Sequence, residues 1–335
     1  MAARKRAGAG RTGRTTLRHG PAPLLPLAAL FLSLFVSWSC EPPATPGGEN
    51  PAVSFPEGWA YSAEEAAVPG TDGMVVSTDA YASEGGVAIL EAGGNAVDAA
   101  MATSFALAVV NPEAGNIGGG GFMVIRLAGG TTASLDYRER APLAATRDMF
   151  LDENGELTDA STVGHLAAGV PGTVAGLWAA HQRYGSLPWQ DLVAPAIALA
   201  EGFAVRERQA RSFEENEEDL RLFPGTEATF LPDGRPPQVG EVFGQNELAA
   251  TLGRIAAQGR DGFYEGRTAD LIVEEMERGG GIMTHEDLAT YEAAWRDPIQ
   301  VAYRGHTIIS MPPTSSGRAT LAAMAKILEG FDLGA

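Results

Sequence analysis

Residues Asn111–Pro142 read NPEAGNIGGGGFMVIRLAGGTTASLDYRERAP, and the reading of this stretch decides the fold. Four consecutive glycines, Gly118 to Gly121, predict a backbone that passes close to another backbone or a ligand, where any Cβ would clash. Phe122–Leu127 and Thr131–Tyr137 read as two strands joined through Ala128-Gly129-Gly130, because glycine supplies the positive φ angles of tight hairpin turns. The second strand delivers Arg138. A guanidinium at a strand end, beside a glycine cradle, is shaped for a bidentate grip on a carboxylate or phosphate. The plainer alternative is a turn arginine paired with Asp136 or Glu139 on a solvated surface, and on spacing alone this is the commoner arrangement. The cradle is not a phosphate loop, because it lacks the Gly-Lys-Ser/Thr ending and runs into a strand rather than a helix.

Upstream, Ala96–Val110 is rich in alanine and carries only Asp98 as a charge, the pattern of a helix buried on most sides. Before it, Met74–Asp79 reads as a first strand and Ala80–Ala92 as a helix weakened by Gly85-Gly86 and capped by Gly93. Downstream the pattern is helical. Val174–Tyr184 and Trp189–Glu201 are amphipathic, and Pro195 is expected to kink or split the second. Arg206–Leu222 reads as a charged, solvated helix, and Phe223–Gly244 as a surface excursion rich in Gly and Pro. Further helices are expected at Asn246–Gln258 and Arg267–Arg278, with another capped by Thr284 and favoured by Glu286 and Asp287 in its first turn. Ile299–Tyr303 and Thr307–Met311 flank Arg304-Gly305-His306 as a second hairpin. Ser310–Gly317 then turns into an apolar helix carrying Leu321, Met324, Ile327, Leu328 and Phe331.

The chain of 335 residues has an ordinary globular composition, 45% apolar and 20% charged, so neither disorder nor a coiled coil is indicated. Its net charge of −18 hides an asymmetry: Arg4, Lys5, Arg6, Arg11, Arg14 and Arg18 all precede the first acidic residue, Glu41. Beyond them 18 basic residues face 42 acidic ones, a surface that repels phosphate backbones, so no nucleic-acid partner is expected. Residues 1–40 read as an export signal, with that basic region followed by an apolar run from about Leu24 to Val36. No other segment is long and apolar enough to span a membrane. Cys40 ends the signal as a lipidated cysteine would, although Ser37-Trp38-Ser39 departs from the lipoprotein pattern; lipid anchoring and simple cleavage nearby both stay open. Residues 41–72 form a linker, rich in proline and small polar residues over Glu41–Pro56. The lone cysteine excludes intrachain disulfides and a thiolate metal cluster.

Of the five histidines, His19, His165, His181, His285 and His306, no two have the spacing of metal ligands on one helix or turn, which favours structural or surface roles. Ser315 and Ser316 could serve as nucleophiles, but no histidine or lysine is near in sequence to activate them, and capping of the next helix explains their hydroxyls at least as well. The residues alone thus define an exported α/β protein with one candidate anion grip, Arg138.

Six segments, in order, extend this reading. They are Gly93-Gly94-Asn95-Ala96-Val97-Asp98-Ala99-Ala100, the cradle Asn116–Phe122, Asp136-Tyr137-Arg138-Glu139-Arg140-Ala141-Pro142, Gly169-Val170-Pro171-Gly172-Thr173-Val174-Ala175-Gly176, Thr284-His285-Glu286-Asp287-Leu288, and Met311–Gly317. Together they resemble the large-subunit portion of gamma-glutamyltranspeptidase, also called glutathione hydrolase, of the N-terminal nucleophile superfamily. Arg318 departs from the family, which usually carries a second glycine after Ser-Ser-Gly. The resemblance implies an α/β fold of αββα sandwich type, with residues 73–335 as the large-subunit region and the sandwich incomplete without the small subunit. It implies autocatalytic cleavage of a precursor, a small subunit whose N-terminal threonine is the nucleophile, and that threonine's own amine as base. Glutathione and other γ-glutamyl compounds are the implied substrates, with water or an acceptor amino acid or peptide completing the reaction, and no metal or organic cofactor is implied. The arginine matching Arg138 binds the α-carboxylate of the γ-glutamyl group. The threonine segment is expected beyond Ala335, so no catalytic residue is assigned here and the 335 residues alone are expected to be inert. Thr284-His285 resembles that segment only superficially and matches a large-subunit helix start. The expected setting is exported, periplasmic or extracellular. A glutaryl-type (cephalosporin) acylase of the same family and a non-catalytic cell-surface binding protein using the Arg138 pocket are the alternative functions.

Overall fold

The computed structural model describes residues 69–333, so the export signal, Cys40 and most of the linker lie outside the described residues. Helix α1 (Ala80–Glu91) and helix α2 (Ala96–Val110) pack along each other. Gly86 is what allows it, since a Cβ there would overlap the Thr103 hydroxyl and lie 2.9 Å from Val75 Cγ1. Asn95 caps α2 in a capping box: its side chain accepts from the nitrogens of Val97 and Asp98, and Asp98 accepts from the Asn95 nitrogen. Asp98 is fully buried and also accepts from the backbone and hydroxyl of Ser186, which explains the single charge in an otherwise apolar helix. Met101 and Phe105 of the same helix are completely buried, each contributing on the order of 1.5–3 kcal/mol of apolar transfer.

The chain then forms strand β1 (Phe122–Arg126) and strand β2 (Thr132–Asp136), antiparallel, with Phe122 opposite Asp136 and Arg126 opposite Thr132. Gly130 makes the turn with a φ of 87°. Two long helices follow, α3 (Thr173–Tyr184) and α4 (Trp189–Glu201). Helix α4 runs through Pro195 as one element, so the expected split is not seen. Strand β3 (Phe203–Ala204) pairs with β4 (Val242–Phe243) around an excursion. It opens with helices α5 (Glu207–Glu215) and α6 (Glu217–Leu220), and helix α7 (Pro224–Phe230) makes the expected Phe223–Gly244 surface stretch more structured than its composition predicts. The single solvated helix expected over Arg206–Leu222 breaks at Asn216, and Gln209 and Phe213 turn inward; an aromatic group of Phe213, Phe230 and Phe243 anchors the segment.

Helices α8 (Asn246–Gln258), α9 (Asp261–Tyr264), α10 (Gly266–Gly279) and α11 (His285–Ala289) lead to strand β5 (Ala294–Arg296), which returns to pair with β2. The resulting sheet has the order β1-β2-β5, with Leu135 of its middle strand completely buried and α3 packed beside it. The second hairpin, β6 (Ile299–Tyr303) and β7 (His306–Ser310), turns on Arg304 and Gly305 at φ angles of 46° and 81°, and helix α12 (Gly317–Leu328) follows it. Mixed helix and strand agrees with the α/β expectation.

Met74–Asp79 is not a strand. It pairs with no strand among the described residues, and Val76 is 81% exposed. The apolar residues Leu321, Met324 and Ile327 of α12 are likewise exposed, as is Val124 on the edge strand β1. Among the described residues, no helix is long and apolar enough to cross a membrane, and no group of three His, Cys, Asp or Glu could hold a metal ion.

Candidate functional site

The glycine run is built for main chain and aromatic ring. A Cβ at Gly120 would lie 2.5 Å from the Tyr137 carbonyl oxygen and 2.7 Å from the Glu139 nitrogen, and one at Gly121 would lie 2.9 Å from the Tyr137 ring. Gly172, just before α3, and Gly176 within it crowd the same tyrosine, where any side chain would overlap its carbonyl or its ring. Tyr137 therefore sits in a nest of glycines, and burial pushes its phenol up to about 12. Gly119 closes the nest: its carbonyl accepts from the nitrogens of Gly172 (2.7 Å) and Thr173 (3.0 Å), while its own nitrogen donates to Asn116 Oδ1 (2.9 Å). Thr173 Oγ1 donates to the same Asn116 oxygen at 2.7 Å. Gly118 alone meets nothing, and it opens onto a cleft.

That cleft, of about 560 Å³, is walled on one side by Arg138–Pro142 and on the other by Leu166–Gly169, with Met149 and Phe150 closing it. The two walls are tied where Arg140 and Val170 exchange hydrogen bonds, N to O at 3.2 and 2.8 Å. Arg138 is held at its main chain. Its nitrogen donates to Asp136 Oδ1 (3.2 Å) and its carbonyl accepts from the Tyr291 hydroxyl (2.8 Å). The plainer alternative, a surface pairing with Asp136 or Glu139, does not form. Asp136 is taken by the Arg296 guanidinium at 2.8 Å and by Thr314 Oγ1 at 3.3 Å. The exposed Arg138 guanidinium has no ion-pair partner among the described residues, in a cleft it shares with Gly118. A cation on fixed backbone with its hydrogen-bond donors unspent is suited to a carboxylate ligand.

A second, apolar cleft of about 370 Å³ adjoins across Gly118, Ala168 and Gly169, lined by Ile117, Phe263, Leu271, Ile272, Met276 and Met283. His165, on the short 3₁₀ turn His165–Ala167, shares a proton-bearing contact of 2.6 Å with Glu275. His181 pairs with the Leu187 carbonyl and His285 with Asp270, so these three histidines do structural work. Thr284 is a helix cap: its nitrogen and hydroxyl both donate to Asp287 Oδ2, at 2.8 and 2.7 Å. Ser316 holds the cap position of α12 without a side-chain hydrogen bond, so position rather than a hydroxyl bond is all that remains of the capping expectation.

Sequence reasoning missed Tyr264 and Tyr291. The Tyr264 hydroxyl donates to the Pro171 carbonyl (2.7 Å), and the two rings stack at 5.9 Å between centroids with 10° between planes. Neither tyrosine belongs to a periodic pattern or a motif, and nothing local marks them, because their partners lie 93 and 153 residues away.

Comparison with known proteins identifies the family. The sequence model of the family described as gamma-glutamyltranspeptidase matches residues 82–335. The glutathione hydrolase proenzyme of Pseudomonas aeruginosa is 49% identical over 259 residues, covering 77% of this chain and 46% of that protein. An acylase ACY 1 proenzyme of a Pseudomonas species, strain V22, is 40% identical over 294 residues, 85% of this chain and 53% of that protein. The crystal structure of Helicobacter pylori gamma-glutamyltranspeptidase superposes with a TM-score of 0.78 at 47% identity, covering 80% of this chain and 78% of that one. The chain spans about half the length of the curated relatives it matches. By the family match, the identities and the shared fold, this chain belongs to the gamma-glutamyltranspeptidase family.

Proposed function

We propose that this chain is the large-subunit part of an exported gamma-glutamyltransferase and glutathione hydrolase, and that Arg138 grips the α-carboxylate of the γ-glutamyl donor. The observation that carries the proposal is an unpaired guanidinium, on a main chain fixed by Asp136 and Tyr291, at the mouth of a cleft in a family of glutathione hydrolases. Fixing the carboxylate places the γ-carbonyl at a constant reach. In the proposed reaction a threonine of the small subunit attacks that carbonyl through Oγ, and its own α-amine takes the hydroxyl proton. The tetrahedral intermediate collapses, the C–N bond breaks and the leaving amine receives the proton. Water or an acceptor amine then takes the acyl group and restores the threonine. The partners are glutathione, other γ-glutamyl compounds, acceptor amino acids or peptides, and the small subunit of the same precursor.

The test is to express the full reading frame and follow self-cleavage by mass spectrometry, with Arg138→Lys alongside the parent. Lysine keeps the charge and loses the fork, so self-cleavage proceeds and KM for a γ-glutamyl anilide rises by about tenfold. An unchanged KM removes Arg138 from the site. The acylase relative at 40% identity supports a second reading, removal of glutaryl-type side chains, and relative rates on γ-glutamyl and glutaryl amides separate the two. Export, with Cys40 either lipidated or lost on cleavage, is tested by the mass of the mature N-terminus.

A further inference from the structure

Arg138 enters the cleft from a chain with little local support, because it lies just past the end of β2 and its side chain is exposed. Its nitrogen is tied locally to Asp136, but what holds its carbonyl comes from 153 residues away. Tyr291 is only 2% exposed, and its hydroxyl donates to the Arg138 carbonyl at 2.8 Å. The ring is itself fixed, stacked on Tyr264 and lying 5.0 Å from the Arg140 guanidinium, which also donates to the neighbouring Glu292 carbonyl at 2.6 Å. Tyr264 holds the facing wall through Pro171, and Gly172 leaves room for the Tyr291 hydroxyl, which any side chain at that position would overlap. One stacked pair of tyrosines thus fastens both chain segments that frame the cleft, and one of its two hydroxyls acts on the residue that carries the cation.

We infer that Tyr291 is a positioning residue for Arg138, setting affinity for the substrate carboxylate without touching the substrate. The inference rests on the proposed role of Arg138. Burial raises the Tyr291 phenol to about 12, so the hydroxyl stays protonated and able to donate through the neutral range. Losing this bond leaves the Arg138 nitrogen on Asp136 but releases its carbonyl, and the ring, its stack and the rest of the cleft stay in place. A misaligned guanidinium weakens binding of the carboxylate in the ground state and the transition state alike, so the signature is a raised KM with kcat preserved.

The experiment is a double-mutant cycle in the self-processed full-length enzyme, with a γ-glutamyl anilide as substrate. Tyr291→Phe is expected to raise KM roughly 5- to 10-fold with kcat within about twofold, the worth of one well-made hydrogen bond. In an Arg138→Ala background the same change is expected to leave KM unaltered, because there is no guanidinium left to position. Tyr264→Phe removes the other hydroxyl of the stack and should lower the melting temperature without the KM effect. Arg140→Lys, which strips the planar group from the Tyr291 ring, is expected to shift KM in the same direction by a smaller factor and serves if Tyr291→Phe does not self-cleave. An unchanged KM for Tyr291→Phe, an undiminished effect in the Arg138→Ala background, or an equal effect from Tyr264→Phe overturns the inference. If Arg138→Ala itself leaves KM unchanged, the reading of Arg138 has failed and the inference falls with it.

Discussion

Replacing Gly120 with alanine tests whether the glycine run exists for the main chain that carries Arg138. The new Cβ would lie 2.5 Å from the Tyr137 carbonyl oxygen, 2.7 Å from the Glu139 nitrogen and 2.9 Å from the Arg138 carbonyl carbon. All three are main-chain atoms, so no side-chain rotation relieves the clash. Reaching even a 3.0 Å separation requires the strand end to retreat by about 0.5 Å. The bonds between Tyr137 and Gly121, 3.0 and 3.3 Å, stretch with it. Overpacking of this kind costs about 1–3 kcal/mol, and weakened hydrogen bonds add about 1 kcal/mol, so a loss of roughly 2–4 kcal/mol is expected. At about 2 °C per kcal/mol for a domain of this size, the midpoint of thermal unfolding falls by roughly 4–8 °C. Gly118→Ala is the matched control: nothing lies within 4 Å of a Cβ there, and its φ is not positive. Its stability should stay within about 0.5 kcal/mol of the parent. Circular-dichroism melts of the two variants decide the matter, and a Gly120→Ala protein that melts with the parent, or equal losses in both, refutes the reasoning.

Two further outcomes follow from buried carboxylates. Asp98→Ala removes the acceptor for the nitrogens of Asn95 and Ser186 and for the Ser186 hydroxyl, and should cost about 2–4 kcal/mol in urea unfolding, where an unchanged midpoint would dismiss the carboxylate as a strut. Asp287 is buried, which by itself raises its pKa, but hydrogen bonds from Leu143 and Thr284 outweigh this and hold it below the usual aspartate range. The folded state therefore takes up this proton less readily than the unfolded chain, so the stability it confers is full at neutral pH and is lost as pH falls below about 4. Asp287→Asn should lower stability at pH 7 and flatten that acid limb, and a parallel pH profile would count against it.

The parts of the fold that were legible in the sequence are those governed by local rules. The bounds of α2 follow from an alanine-rich run behind an Asn95 cap, and the β1–β2 hairpin from a glycine turn between apolar strands. The glycine cradle was legible as a close approach, although its occupant, the Tyr137 main chain and ring, was not, because the crowding groups at Gly172 and Gly176 come from a segment 35 or more residues downstream. Met74–Asp79 has the apolar content of a strand, yet pairing needs a neighbour, and none is at hand among the described residues. The break at Asn216 is not marked locally, because inward-facing Gln209 answers to Asp79 and Phe213 to an aromatic group gathered from three separate segments. At the site, Arg138 could be named from its strand end, while Asp136's commitment to Arg296 and the Tyr291 tether depend on contacts across more than 150 residues.

Arg138 combines a main chain tied at both its nitrogen and its carbonyl with a side chain that is exposed and unpaired among the described residues. A carboxylate that binds it must therefore freeze the rotamers of a long, exposed arm, which costs about 1.5–2 kcal/mol of conformational entropy, or roughly a 10- to 30-fold loss of affinity. Had the main chain also been loose, each residue ordered on binding would have added about 1–2 kcal/mol more. On the proposed role of Arg138, this division leaves discrimination between ligands to the contacts made beyond the carboxylate.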